Sequence, residues 1–313
     1  MKVADMESVA REWDELTEIA RVDNIVRVSS NNIDLHTHTT QSDGSASPAD
    51  LIARASSKRA RAIAVTDHDT VAALEEARHA AERFGLEFIS GIEISAEYSP
   101  GTMHILGYCL DERSVALNEQ LGKLREARER RNPEIAKRLQ ALGLDISYDE
   151  VSTAAGNEVV GRPHFARLMV ERGYAASIQD AFDRYLKKGA AAYVEKARLS
   201  PHDSMILIHE AGGVAVLAHP SQLRLSSYEA VDELVSELTG FGLDGIEAIY
   251  SRHSSDERVA YAEIAARHGL LVTGGSDYHG SYKPDIDLVT GMGDLEVPYA
   301  LLEEVKSRAA SRR

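Results

Sequence analysis

The chain of 313 residues has one cysteine, Cys109, and so cannot close an intrachain disulfide. Disulfide-stapled secreted folds are excluded, and a reducing cytoplasm is the expected compartment. Cys109 follows Gly107-Tyr108 in an apolar run, which reads as a buried inert thiol rather than a nucleophile. No stretch approaches the length and apolarity of a membrane span. Residues 1–30 lack the apolar core of a signal peptide and read as a charged amphipathic helix on Val9, Trp13, Leu16, Ile19 and Ala20. Basic charge is scarce: 35 Lys and Arg stand against 50 Asp and Glu, a net charge of −15. A dedicated binder of long nucleic acid needs surplus cations, so that class is excluded, whereas a small phosphorylated substrate is not. Metal-bound carboxylates would have part of this acidity offset by their ions. No repeat or low-complexity segment stands out.

What is present is an alternation of short apolar runs and helical patterns. Ile33–Leu35 reads as a strand, and Ser47-Pro48 starts a helix, with Ser as N-cap and Pro in the first turn. Strands follow at 62–65, 87–90 and 103–108, with a helix over 71–84. From 114 to 198 the pattern is helical, with apolar residues recurring at three and four (Leu117, Leu121, Leu124; Ile135, Leu139, Leu142). Alternation then resumes, with strands at 214–218, 245–250 and 270–273. Repeated βα units imply parallel strands with right-handed crossovers, and about seven of them favour a barrel over an open sheet. The expected α/β organisation is an N-terminal helical extension (1–31), a first barrel part (32–113), a helical insertion over the C-terminal mouth of the strands (114–198) and a second barrel part (199–313).

Imidazole and carboxylate groups fall where these strands end. His36 and His38 lie on one side of an extended segment, since residues i and i+2 share a face. Asp43 follows beyond a turn. His68 ends the next strand, Glu93 follows the third, His104 lies on the fourth, His219 ends the strand after the insertion, and Asp277 and His279 follow the last. Parallel barrels gather their active sites at the C-terminal ends of strands. One strand-end histidine is more often a hydrogen-bonded structural group. Six of the twelve histidines placed this way, with three carboxylates, point to metal. Nine ligands exceed the need of one ion and suit two or three ions sharing a bridging carboxylate, for which Glu93 is the expected residue. The sulfur-free N/O set fits manganese, zinc or iron. Asp43 is expected to serve a different ion from His36 and His38, together with His68 and His279. Asp34, Asp67 and Asp69 are expected to orient the imidazoles.

His36-Thr37-His38 with Asp43, Thr66-Asp67-His68-Asp69, Gly91-Ile92-Glu93, His104, Ala218-His219-Pro220 and Gly275-Ser276-Asp277-Tyr278-His279 resemble the motifs of the PHP (polymerase and histidinol phosphatase) superfamily, over about residues 33–290. The resemblance implies a distorted (β/α)7 barrel with a trinuclear metal site, often manganese, that hydrolyses phosphate esters. The insertion resembles the branch of phosphatases acting on 3′,5′-nucleoside bisphosphates, with relatives acting on short RNA ends or cyclic sugar phosphates.

Two bridged ions can lower the pKa of a water and aim it at phosphorus, while a third neutralises phosphate oxygens. His253, after the strand at 245–250, is a candidate general acid or substrate contact at the same mouth. The insertion offers fixed positive charge: Lys123 to Arg138 holds seven Lys/Arg against three Glu. Asn132-Pro133 reads as a helix start or a kink, expected to leave free backbone N–H groups for an anion. Arg131 and Arg162 are the expected phosphate clamps, with Asn132 and His164 beside them and Lys187 and Lys188 as helpers. The expected reaction is monoester hydrolysis on a small doubly phosphorylated nucleotide. The alternatives are a phosphodiesterase acting on cyclic sugar phosphates or RNA 5′ ends, a C–N hydrolase, and a non-catalytic metal-bound nucleotide sensor. Oligomeric state is left open.

Overall fold

The computed structural model describes residues 32–156 and 160–312, so the expected N-terminal extension lies outside the described residues. Six strands form one curled sheet in chain order: β1 (Ala62–Val65), β2 (Glu87–Ala96), β3 (Met103–Tyr108), β4 (Val214–Leu217), β5 (Gly245–Tyr250) and β6 (Leu271–Gly275). The segment 33–37 joins the two edges. Asp34 N–H donates to Ala62 O (3.1 Å) and Ala64 N–H to Asp34 O (2.9 Å) on the β1 side. Leu35 N–H donates to Gly274 O (3.3 Å) and Asp277 N–H to His36 O (2.8 Å) on the β6 side. This segment is the seventh stave and closes a distorted (β/α)7 barrel.

The strands β1, β4, β5 and β6 are buried along their whole length. Their Val, Ile, Leu and Ala content suits strands covered on both faces. Helices α1 (Pro48–Ser57) and α2 (Leu74–Phe84) belong to the first half of the chain. The insertion supplies α3 (Val115–Ala141), α4 (Tyr148–Ala155), α5 (Arg162–Glu171) and α6 (Ile178–Ala181). The second half adds α7 (Pro201–Glu210), α8 (Tyr228–Gly240), α9 (Ser255–Arg267) and α10 (Tyr299–Ala310).

One strand departs from the parallel expectation. β3 runs antiparallel to both β2 and β4. The cause is the connection: a parallel neighbour needs a crossover of a dozen residues or more, and the link from Ala96 to Met103 is too short and carries no helix. The reversal sets His104 at the start of β3, opposite Ser95 near the end of β2, and so brings its imidazole to the same mouth as the strand ends.

The insertion has its own buried cluster, including Ile135, Leu139, Val151, Phe165 and Met169. The N-terminal half of α3 contributes Leu117, Leu121 and Leu124 to the barrel core instead, so this long helix is shared. Pro133 sits inside α3 without ending it. Of the two alternatives, Pro133 therefore lies within a longer helix and does not start one. The expected free N–H groups do not follow, because a mid-helix proline lacks a donor and releases an acceptor.

β6 passes very close to the first stave. A Cβ at Gly275 would overlap His36 Cβ and its backbone N. Gly275→Ala is expected to cost about 1–3 kcal/mol through overpacking and to lower the melting temperature by several degrees, measured by calorimetry. An unchanged melting temperature would contradict this close approach.

Candidate metal centre and anion cleft

Glu93, wholly buried near the end of β2, is the centre of the site. Its Oε2 lies 3.3 Å from His36 Nε2, 3.2 Å from His38 Nε2 and 3.1 Å from His68 Nδ1. Its Oε1 lies 2.7 Å from His104 Nδ1 and 3.0 Å from His219 Nε2. Asp277 Oδ1 approaches His38 Nε2 at 3.3 Å and His36 Nε2 at 3.7 Å. Asp43 lies on the far side of His38 from His36, its Oδ1 3.2 Å from His279 Nε2 and its Oδ2 3.7 Å from His68 Nε2. Four ligand groupings result: His36, His38 and Asp277; His36, Glu93 and His219; His68, Glu93 and His104; and His38, Asp43, His68 and His279. All nine expected residues are brought together. None of these groupings joins His36, His38 and Asp43, but His38 reaches both sides, with Nδ1 3.5 Å from Asp43.

Divalent ions fit this donor set. Four buried atoms, His36 Nε2, His38 Nε2, His68 Nδ1 and Glu93 Oε2, have no hydrogen-bond partner although they crowd together. Orphaned buried polar atoms are costly, and a cation among them removes the cost. The charges say the same. Burial by itself would raise Glu93 and Asp277, but the surrounding imidazoles hold both well below the usual carboxylate range. Burial depresses His36 and His38, yet Glu247 and Glu93 lift His36 well above its ordinary value, and Asp277 and Glu93 lift His38 to about 9. Without ions, protons must occupy the place of cations. His68 goes the other way, to about 3, because burial outweighs Glu93 and Asp43.

The residue that fixes an imidazole is Glu247, which the sequence reading missed. Its Oε1 lies 2.8 Å from His36 Nδ1 and its Oε2 accepts from His219 N–H at 2.9 Å. An acid in the apolar run Gly245–Tyr250 was the available signal. Asp34, Asp67 and Asp69 orient no imidazole, contrary to expectation. Asp34 accepts from the backbone N–H groups of Ser276 and Val289, both at 2.8 Å. Asp67 accepts from Thr39 N–H and Oγ1 and from Ser42 Oγ, and so shapes the loop that presents Asp43. Asp277 keeps its outer oxygen engaged by Lys283 Nζ at 2.8 Å and Tyr250 Oη at 3.0 Å. Three non-glycine residues at this mouth have positive φ: Asp69 (54°), His219 (24°) and Asp277 (57°). Such strain clusters where surrounding structure over-determines a functional site.

A cleft of about 250 Å³ opens from the ligands onto the insertion. Asp43, His68 and His104 form its barrel side, and Arg128, Arg131, Arg162, His164, Lys196 and Arg198 its other side. Arg128 and Lys196 both donate to buried Asp69, at 3.0 and 2.9 Å. Arg131, Arg162 and Arg198 have no carboxylate within ion-pair distance among the described residues. Burial and neighbouring Arg162, Arg128 and Arg198 lower Arg131 to about 10. Burial likewise lowers Arg162, whose guanidinium donates to Leu186 O at 3.1 Å. Asn132 does not line the cleft: its Oδ1 accepts from the Arg131 guanidinium at 3.1 Å and its Nδ2 donates to Val160 O at 2.8 Å, so it aims the arginine. His164, in the first turn of α5, accepts from Gly161 N–H through Nδ1 at 3.0 Å, which leaves the proton of a neutral ring on Nε2. Lys187 pairs with exposed Asp183, and neither it nor Lys188 lines the cleft.

His253 is a correction. It is 3% exposed, its Nδ1 lies 2.9 Å from Ala248 O, and its ring is packed between Tyr250 and Tyr261. It supports the wall behind the ligands and does not reach the cleft. Arg128, Lys196 and Arg198 were missed. Arg128 stands one helical turn from Arg131, and Lys196 and Arg198 alternate along an extended strap, but neither spacing marks a site without the tertiary fold.

Residues 34–241 match the model of the PHP domain. The chain belongs to the PHP domain family. It is 36% identical over 249 residues to the 3′,5′-nucleoside bisphosphate phosphatase of Chromobacterium violaceum, covering 79% of this chain and 87% of that protein. It is 37% identical over 248 residues to the 5′-3′ exoribonuclease Rnm of Escherichia coli (79% and 84%). The phosphoribosyl 1,2-cyclic phosphate 1,2-diphosphodiesterase of Eggerthella lenta is 32% identical over 253 residues (80% and 94%). A solved structure from Chromobacterium violaceum, described as an amidohydrolase with bound sulfate and no metal, superposes with a TM-score of 0.74 at 33% identity, over 88% of this chain and 96% of that one. This PHP protein is a metal-dependent phosphoesterase, a hydrolase with His/Asp/Glu clusters able to hold metal.

Two outcomes follow for the ions. Glu247→Gln is expected to weaken divalent-metal affinity by about 10–100-fold, read by competition with a fluorescent chelator. Stripping the ions with a chelator is expected to lower the melting temperature by about 5–10 °C, because binding to the native state alone adds about 3–4 kcal/mol at saturating metal.

Proposed function

We propose that this protein hydrolyses a phosphate monoester on a small doubly phosphorylated nucleotide, such as the 3′-phosphate of a nucleoside 3′,5′-bisphosphate. The observation that carries the reading is the set of three arginines, Arg131, Arg162 and Arg198, gathered in the cleft that opens on the ligands with no carboxylate in ion-pair distance among the described residues. Like charges held together in a half-buried site are unfavourable until an anion joins them. Guanidinium forks match phosphate oxygens in pairs. The ligand cluster is then the place of the scissile phosphate, and the arginines take the distal one.

In this reading His36, His38, Asp43, His68, Glu93, His104, His219, Asp277 and His279 hold two or three divalent ions, with manganese first and zinc or iron as alternatives. Such ions supply Lewis-acid charge and a lowered water pKa. Glu93 belongs to two of the ligand groupings and would be the carboxylate they share. Arg131, aimed by Asn132, and Arg162 orient the second phosphate. His164, held by Gly161 N–H, lines the same cleft beside them. Asp69 holds Arg128 and Lys196 beside the ligands and offsets one of their two charges. The single cysteine supports a cytoplasmic setting, and no described helix is long and apolar enough to cross a membrane.

A second reading, trimming of RNA 5′ ends, is favoured by the exoribonuclease relatives, since a 5′-phosphate followed by a diester presents the same two anions. The exclusion of long nucleic acid by net charge therefore does not extend to a short RNA end. A C–N hydrolase of neutral substrates is disfavoured by the unpaired arginines.

Product analysis decides between these readings: inorganic phosphate from adenosine 3′,5′-bisphosphate, a ring-opened monoester from a cyclic sugar phosphate, or mononucleotides from a short 5′-phosphorylated RNA. The bisphosphate is expected to turn over best, and turnover of the cyclic compound alone would overturn the proposal. Arg131→Ala with Arg162→Ala is expected to raise KM for the bisphosphate by about 100-fold or more, at about 1.5–3 kcal/mol per charged hydrogen bond. KM for a monophosphate should rise far less, and an equal rise for both would remove the distal-phosphate role.

A further inference from the structure

A second cavity, of about 410 Å³, lies against the metal cleft and plays no part in the chemistry above. Arg128 lines both spaces, and its ion pair with Asp69 lies where they adjoin. The first cleft, at about 250 Å³, is below the usual size of a pocket for a whole small molecule, about 300–1,000 Å³. It suits phosphates on a sugar and leaves little room for a base. The neighbouring cavity is larger and has different chemistry. Leu121 and Val71 give it apolar surface. Gly122 of α3 opens a flat floor, since a Cβ built there meets no atom within 4 Å. Arg125 also lines it and makes no ion pair or hydrogen bond among the described residues. Asn118 spends both amide protons on Glu112 O (2.7 Å) and Ser114 O (2.9 Å), which leaves its side-chain oxygen as an acceptor.

A free phosphate would not use the apolar floor, and an aliphatic ligand would not use Arg125 or Asn118. A planar, polar-edged ring uses all of them: its face lies over Gly122 and Leu121, Arg125 stacks on it or donates to its ring nitrogens, and Asn118 accepts from an exocyclic amine. We propose that the cavity between α3 and the loop after β1 is the nucleobase subsite of this phosphoesterase, taking the base of the nucleotide whose phosphates sit in the metal cleft. The proposal rests on the nucleotide reading of that cleft.

The test uses Gly122→Phe, which fills the cavity and replaces a helix-interior glycine with a better helix former, and Arg125→Glu, which reverses its charge. Both are made in the full-length, manganese-loaded protein, and each is checked for an unchanged melt. kcat/KM is measured for adenosine 3′,5′-bisphosphate and for the abasic 1-deoxyribose 3,5-bisphosphate. The native protein is expected to prefer the base-bearing substrate at least tenfold, and the ratio is expected to fall toward one in both variants. A native ratio near one, or an unchanged ratio in the variants, overturns the subsite. If the native protein hydrolyses neither bisphosphate, the nucleotide phosphatase reading fails separately. The cavity is then judged by fluorescence titration with etheno-AMP. Binding that Gly122→Phe weakens at least tenfold supports the subsite, and absent or unaltered binding overturns it.

Discussion

Everything at the mouth of this barrel depends on keeping Glu93 ionised where no water reaches it. An isolated buried carboxylate would be neutralised or expelled. Here His36, His38, His68, His104 and His219 surround it, the first three at one oxygen and the last two at the other. Those imidazoles in turn need cations or protons to coexist with Glu93, Asp277 and Glu247. Divalent ions satisfy both demands at once, which is why orphaned nitrogens and an orphaned oxygen can stand within van der Waals reach without making a hydrogen bond. The fold serves this arrangement. The first stave is clamped between β1 and β6, Asp34 fastens the chain around Ser276 and Val289, and Asp67 holds the loop that presents Asp43. Strained backbone at His219 and Asp277 is tolerated because so many neighbours fix those residues.

The insertion solves the opposite electrostatic problem. It brings arginines together with too few carboxylates, and their mutual repulsion and burial depress Arg131. A site built this way gains most when a multiply charged anion arrives. The chain as a whole is acidic, while this concavity is lined by Arg128, Arg131, Arg162, Lys196 and Arg198. The two facts agree once charge is counted by location instead of by sum.

Much of this was legible in the chain. The nine candidate ligands could be read because barrel topology sends strand ends to one place, and only strand ends needed to be found. Arg131 and Arg162 were legible through a resemblance, and the closed barrel through its alternation. The failures have physical causes. β3 was expected to run parallel because its apolar pattern is the same in either direction; only the length of the link before it forbids the crossover. Asp67 and Asp69 adjoin His68 in sequence, but successive side chains on an extended chain face opposite sides, so their carboxylates meet the loop and the insertion instead, while Asp34, two residues before His36, is taken by the backbone N–H groups of Ser276 and Val289. His253 follows a strand end yet turns inward, since its ring is aromatic surface that Tyr250 and Tyr261 can bury. Glu247 was overlooked as one acid in a core strand, although a buried acid there needs a partner and His36 is that partner.

Asp69 shows why the cations and the ligands come from different elements. Arginines placed beside an empty metal site would compete with the ions for Glu93 and Asp43 and repel the ions directly. Asp69, next to His68 in the chain, pairs with both Arg128 and Lys196 and offsets one of their two charges at the side of the cleft where it meets the ligands. The arginines left unpaired are carried by α3, α5 and the strap, where they can face a distal anion while the metal ligands retain their negative charge. Barrel and insertion can then each keep the charge it needs only if something buried separates them, and a carboxylate holding one cation from α3 and another from the returning strap does so while also tying the two parts of the molecule together.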